Sequence, residues 1–286
     1  MQTFRHALRT QDFSLTAELA LGPASTAASI VAQARVLADH VDAIQVADGS
    51  ADHAHMSVVA AGAILVNAGI DPVLHFNCRD RNRLALRADV LGAAALGISG
   101  LLLMRGAELP TEARPQIKPV YDWGTHKLIT FARSLENANF LLGSIATAFK
   151  PDRDWQPERL GKRADAGVNF IQTQLCFDGD LLRHYMSRIV AAKLTHRVSV
   201  LVGLAPLPSA DAAQWLGKNL RGAVVPAKVV KRLRQAKDPE LEGVTLCAEI
   251  LRSIAEVPGV SGANLVCMGE PEAVAESVRL SGIRRC

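Results

Sequence analysis

Aromatic residues make up only 5% of this 286-residue chain, and its longest apolar stretch, at 56–68, is too short to cross a bilayer and is interrupted by Ser57 and Asn67. A membrane-embedded protein is therefore excluded as an expectation. Charge of one sign is also scarce: the formal net charge is only +4, too small for a nucleic-acid-binding surface and better matched to small anionic ligands. The most basic run, KVVKRLRQAK at 228–237, has the spacing of a solvated helix face. Cysteine is sparse and odd in number: Cys78, Cys176, Cys247, Cys267 and Cys286 contain no CxxC pair, which argues against a zinc ribbon or a disulfide framework and fits a reducing compartment. Most read as small buried apolar residues, with a reactive thiol as the alternative because three of them end apolar runs.

Two nucleotide signatures are missing as well. No G-x-G-x-x-G follows the first strand-like run and no G-x-x-x-x-G-K-[ST] occurs anywhere, so neither a Rossmann turn nor a P-loop is available. The opening MQTFRHALRTQDF carries Arg5, Arg9 and Asp12 where an export signal needs an apolar core, so a cytoplasmic protein is expected.

What is present is repetition. Short apolar runs alternate with longer helical patterns, and the runs number eight, at 14–21, 42–48, 71–78, 100–106, 139–146, 169–176, 197–207 and 262–269. Ser25 is placed to cap a helix from Ala27, Asp80 or Arg81 opens one that Gly97 closes, and Gly69, Gly167 and Gly259 stand where helices end before strands. Strictly alternating strands and helices make a parallel sheet. Eight units without a linker or a change of composition predict a single (β/α)8 TIM-type barrel over 1–286, with a doubly wound open sheet as the alternative. The seventh unit is long, and helices near 210–219, 226–237 and 240–256 are expected to cover that side.

In such a barrel chemistry belongs at the carboxyl ends of the strands, so polar residues interrupting apolar runs there are the candidates. They are Glu18, Asp48, His75, Asn77, Arg105, Gln172, Gln174 and Asp178. Glu18, inside TAELAL, is either a structural carboxylate with a partner or a proton donor whose pKa burial has raised. His75 and Arg105 on neighbouring strands suit an anionic or heteroaromatic ligand. Gln172 and Gln174 alternate in FIQTQL and so share a face, where two amides can read the edge of a flat heterocycle or form an internally bonded polar layer. Asp52, His53 and His55 in ADHAH put two histidines one residue apart in a loop without a third well-placed partner, a weak metal pattern, and no metal is expected.

The segment HFNCRDRNRLALRADVLGAAALGISGLLLMRG at 75–106 resembles the methylenetetrahydrofolate reductases. So do ELALGP around Glu18, VADGSADHAHMS at 46–57 and DAGVNFIQTQLCFD at 165–178, so the likeness runs through nearly the whole chain and points to the short bacterial type without a regulatory domain. The resemblance implies a barrel that passes a hydride from NADH or NADPH, by way of FAD or directly, to 5,10-methylenetetrahydrofolate, giving 5-methyltetrahydrofolate. It implies that Glu18 is the acid that protonates the folate nitrogen as the ring opens, and that Gln174, with Gln172 and Asp48, contacts the substrate. It assigns His75, Arg105, Asn77, Ala47 and Ala146 to the cofactor, tetrahydrofolate derivatives to the partners, and a homo-oligomer to the assembly. The basic run at 228–237 would attract folate polyglutamate tails.

Three positions depart from the family pattern. Ala107 stands where an Asp usually follows the Arg-Gly of the fourth strand, Ala47 where a flavin-contacting threonine is usual, and Ala210 near a position where an aromatic often packs on the substrate. A thinned flavin site would leave direct hydride transfer from NADH as a route, since the reaction needs a donor carbon against the iminium rather than a flavin as such. Two other readings share the resemblance: a non-catalytic folate-binding or partner protein, and a folate-dependent methyltransferase component.

Overall fold

The computed structural model describes residues 4–19, 21–48, 54–108 and 117–284. Asp52, His53 and Cys286 lie outside them. Eight strands, β1 (Ser14–Leu19), β2 (Ala43–Val46), β3 (Pro72–Asn77), β4 (Gly100–Met104), β5 (Leu141–Ala146), β6 (Phe170–Leu175), β7 (Ser199–Leu204) and β8 (Gly262–Val266), form a closed barrel in chain order. Every neighbouring pair is parallel, and β8 closes on β1 from Ser14 opposite Gly262 to Glu18 opposite Val266. The strands are apolar almost throughout because a parallel barrel buries both faces, one under helices and one inside. Each of the eight expected runs contains one strand, so the barrel replaces the open-sheet alternative.

The helices start where side chains can accept orphan amides. Helix α2 (Ala27–Ala38) is capped by Thr26 rather than the expected Ser25, in a reciprocal box with Ser29, while Ser25 Oγ accepts from the Gly22 amide. Likewise Asn82, not Asp80 or Arg81, caps α4 (Arg83–Ala95), its Oδ1 accepting from the Ala85 amide at 2.9 Å. Gly69, Gly167 and Gly259 adopt φ of +79°, +99° and +85°, as expected of residues that turn the chain out of a helix. Helix α3 (Val58–Asn67), α5 (Thr125–Ser134), α6 (Glu158–Asp165) and α7 (Gly179–Ala191) complete the outer layer between strands. After β7 come the three expected extra helices, α8 (Ala210–Asn219), α9 (Ala227–Gln235) and α10 (Pro239–Ala255), and α11 (Pro271–Ser281) follows β8.

One element was not expected. Helix α1 (Phe4–Thr10) precedes β1 and inserts Phe4 into the amino-terminal end of the barrel, edge-on to Phe170 with ring centroids 5.4 Å apart. Ala43, Val73, Leu102, Leu141 and Leu201 complete this dry layer. Phe170 has room only because position 143 is glycine: a Cβ there would lie 2.1 Å from the ring. Above this apolar plug the barrel interior becomes polar. No helix among the described residues is long and apolar enough to cross a membrane.

Candidate functional site

The carboxyl ends of the strands surround a cavity of about 490 Å³. Glu18, His75, Gln172, Gln174 and Asn264 line it, with Met104, Val266 and Met268 as apolar walls. Trp215 and Leu216 of α8 lean over one side, so an extra helix of the seventh unit forms part of the mouth. The indole is 61% exposed, which leaves a flat apolar face at the opening.

Strand alternation explains which side chains arrive there. Residues 16 and 18 of β1, 45 of β2, 75 and 77 of β3 and 172 of β6 share inward parity, and β6 shifts register against β7 between Gln172 and Leu175. That irregularity brings Thr173 and Gln174 to the cavity together. Thr173 Oγ accepts from the Gly203 amide at 3.1 Å and donates to the Gln174 carbonyl at 2.8 Å, which stitches the bulge.

The cavity floor is a continuous hydrogen-bonded chain. Asn264 Nδ2 donates to Glu18 Oε2 at 3.1 Å, and Thr16 Oγ donates to Asn264 Oδ1 at 2.7 Å. Gln45 Nε2 donates both to Thr16 Oγ and to Gln172 Oε1, each at 2.8 Å, and Gln45 Oε1 meets His75 Nε2 at 2.7 Å. Burial pushes Glu18 up to about 7, against the opposing effect of the Asn264 bond, because an anion in this dry floor forfeits hydration. Burial pulls His75 down to about 3, so its ring is neutral at physiological pH. The site therefore holds an acid that carries its proton in much of the population near neutrality, beside neutral amides and imidazole.

The β2–β4 side of the mouth is committed to itself. Asp48 is buried and receives a two-pronged contact from Arg81, at 2.6 and 3.1 Å, and two bonds from Asn77, at 3.0 Å from its amide and 2.8 Å from Nδ2. Asn77 Oδ1 in turn accepts from the amides of Arg79 and Asp80. Ala47 and Ala107 line the cavity without any polar side-chain atom. Arg105 and Ala146 do not come to this cavity. Arg105 is exposed and lies over the Tyr121 ring at 4.1 Å, whereas Ala146 lines a neighbouring cavity of about 530 Å³ with Phe149, Trp155, Arg163 and Tyr185. Asp178 acts as the amino-terminal cap of α7, its Oδ1 accepting from the amides of Asp180 and Leu181.

Sequence reasoning passed over Thr16, Gln45 and Asn264. Each interrupts an apolar strand on the inward face, the same signal that singled out Gln172. Trp215 carried no strand signal, because its place depends on how α8 folds back over the mouth. Among the described residues no cluster of His, Cys, Asp or Glu side chains is placed to hold a metal ion.

Comparison with known proteins places this geometry. Residues 4–282 match the family model described as methylenetetrahydrofolate reductase. "Probable methylenetetrahydrofolate reductase (NADPH)" of Caenorhabditis elegans is 21% identical over 235 residues, covering 78% of this chain and 34% of that protein. "Methylenetetrahydrofolate reductase 1" of Schizosaccharomyces pombe is 22% identical over 230 residues, covering 75% of this chain and 36% of that protein. The chain thus spans about a third of the length of the curated relatives it matches. Among solved structures, tryptophan synthase from M. tuberculosis in an open form superposes with a TM-score of 0.54 at 17% identity, over 97% of this chain and 95% of that one, a likeness of barrel alone. With the family model matched across the barrel from α1 to α11, the chain belongs to the methylenetetrahydrofolate reductase family.

Proposed function

We propose that the protein reduces 5,10-methylenetetrahydrofolate to 5-methyltetrahydrofolate, taking the hydride from a reduced nicotinamide dinucleotide, NADH or NADPH. The observation that carries this reading is Glu18, an acid with a pKa near 7 on the floor of a cavity edged by Gln172 and Gln174. Glu18 gives its proton to the bridging nitrogen that leaves the methylene carbon. That C–N bond breaks, the remaining pterin nitrogen and the carbon form an iminium, and a hydride adds to the carbon to make the methyl group. The nicotinamide is oxidised, and the Glu18 carboxylate recovers a proton from solvent. Gln174 and the free Nε2 of Gln172 supply amide groups for the pterin edge, while Trp215 offers a stacking face at the mouth.

The donors this chain presents decide whether a flavin fits. Ala47 and Ala107 bring no polar side-chain atom, the Asp48 oxygens are occupied by Arg81 and Asn77, and Arg105 is turned onto Tyr121. Among the described residues these positions do not fit the hydrogen-bonding edge of an isoalloxazine. Direct transfer from the nicotinamide requires only that its donor carbon be held against the iminium. The expected result is a purified protein without a bound-flavin spectrum that oxidises NADH or NADPH only when methylenetetrahydrofolate is present. Anaerobic stopped-flow in which flavin reduction must precede product would overturn the direct route. A colourless, inactive protein that still binds folate would instead favour the binding-protein reading, which the same thinned rim supports. A cytoplasmic location and a homo-oligomeric state belong to this reading as well.

A further inference from the structure

We propose that a directional relay of side-chain hydrogen bonds, running from His75 through Gln45, Thr16 and Asn264 to Glu18, fixes the acid's proton on Oε1, the carboxyl oxygen that Asn264 does not hold. The inference rests on the reading of Glu18 as the proton donor and makes the other four positioning residues for it.

Each link admits one polarity once its neighbour is set. Asn264 directs Nδ2, which can only donate, at Glu18 Oε2, so a proton on that oxygen would face an N–H group. Asn264 Oδ1 then faces Thr16, whose single hydroxyl proton goes there at 2.7 Å. With that proton used, Thr16 Oγ accepts from Gln45 Nε2, whose second hydrogen goes to Gln172. This leaves Gln45 Oε1 toward His75, and a neutral imidazole satisfies it only if Nε2 carries the hydrogen. The opposite polarity is also self-consistent: His75 protonated on Nδ1, every amide turned over, and the Glu18 proton donated inward to Asn264 Oδ1. That state would bury the proton in the floor, out of reach of a substrate. The tautomer of His75, four links away, thus decides which way the acid points.

Burial raises the Glu18 pKa and the Asn264 bond lowers it, so the relay supplies the polar influence on the carboxyl. Just after β8 the Cys267 thiol is pushed up to about 12, by burial first and by Glu18 itself next, and is neutral. On β2 the residue opposite Glu18 is the neutral Gln45, and beyond it Ala47 and Asp48, the latter held by Arg81, line the same cavity. His75, Gln172 and Gln174 across the barrel are neutral.

The test uses the full-length protein labelled with ¹⁵N-histidine and ¹³C-carboxyl glutamate. The His75 nitrogens are expected to report the Nε2–H tautomer from about pH 5 to about pH 8. Glu18, assigned by its loss in Glu18→Gln, is expected to titrate near 7 in the parent protein. In Thr16→Val the near-isosteric side chain removes the hydroxyl, and Asn264 is free to turn its carbonyl toward the acid. The Glu18 titration then rises by about one pH unit, the alkaline limb of kcat/KM moves up with it, and kcat falls roughly tenfold with KM for folate unchanged. Thr16→Ser, which keeps the hydroxyl, restores all three. A His75 ring protonated on Nδ1, or a Thr16→Val protein whose Glu18 titration does not move, would overturn the relay. Both readouts exist without turnover, so failure of folate reduction itself is distinguished from failure of the relay.

Discussion

Glu18→Gln is expected to reduce methylenetetrahydrofolate turnover on the order of 10³-fold while leaving folate dissociation within about threefold. Glutamine keeps the shape and can still accept from Asn264 Nδ2, so the floor persists and only the transferable proton is lost. Steady-state kinetics beside equilibrium folate binding reads the two effects separately, and unchanged turnover would remove Glu18 from the donor role. The same carboxyl sets the pH dependence. With its pKa raised to about 7, kcat/KM is highest below neutrality and falls about tenfold per pH unit above it. Stability follows the same proton. Because the folded state binds it more tightly than the unfolded chain, whose carboxyl titrates near 4.5, the contribution is fully present below that value and is lost as pH rises through about 7. The Glu18→Gln protein should therefore be more stable than the parent at pH 8, by about 3 kcal/mol, in urea denaturation.

Arg81→Ala is expected to destabilise the fold by about 3 kcal/mol or more. The Asp48 side chain is only 3% exposed, and Arg81, itself 18% exposed, makes an ion pair with it at 2.6 Å while also reaching Asp89 of α4 at 2.7 Å. Alanine leaves the carboxylate with the two Asn77 donors and only the longer-range charge of Arg79, in place of a hydrogen-bonded guanidinium. Replacing Asp48 by Asn in the same chain removes the stranded charge, so Asp48→Asn/Arg81→Ala should recover at least half of the loss. A denaturation midpoint for Arg81→Ala matching the parent would show that the pair contributes no more than an exposed ion pair does.

The barrel was legible because each strand is a short apolar run bounded by helix stops, and the extra helices after β7 because their apolar spacing is helical. Helix α1 was not: FRHALRT is too short to show a period, and only the end of the barrel above it gives Phe4 a place. In the site, polar residues interrupting apolar strands led to Glu18, His75 and Gln172, which line the mouth, while Arg105 and Ala146 lie outside this cavity. β4 ends at Met104, which occupies the inward position, so the next residue faces away, and in β5 it is Ile145 rather than Ala146 that points inward. The relay escaped because hydrogen-bond order across β1, β2, β6 and β8 depends on register, which a single chain pattern does not contain.

The stopper that α1 and Phe170 form at the amino-terminal end makes the barrel a vessel with one opening. A proton spent by Glu18 has no route back from below, through a layer of Ala43, Val73, Leu102, Leu141 and Leu201, and must return by the mouth, which folate occupies in the proposed reaction. Recharging of the acid therefore belongs to the interval between product departure and the next folate. Under the proposed reaction, the protein that meets folate is already loaded or already spent, and its acidity is recorded in the capture of folate rather than in the steps that follow.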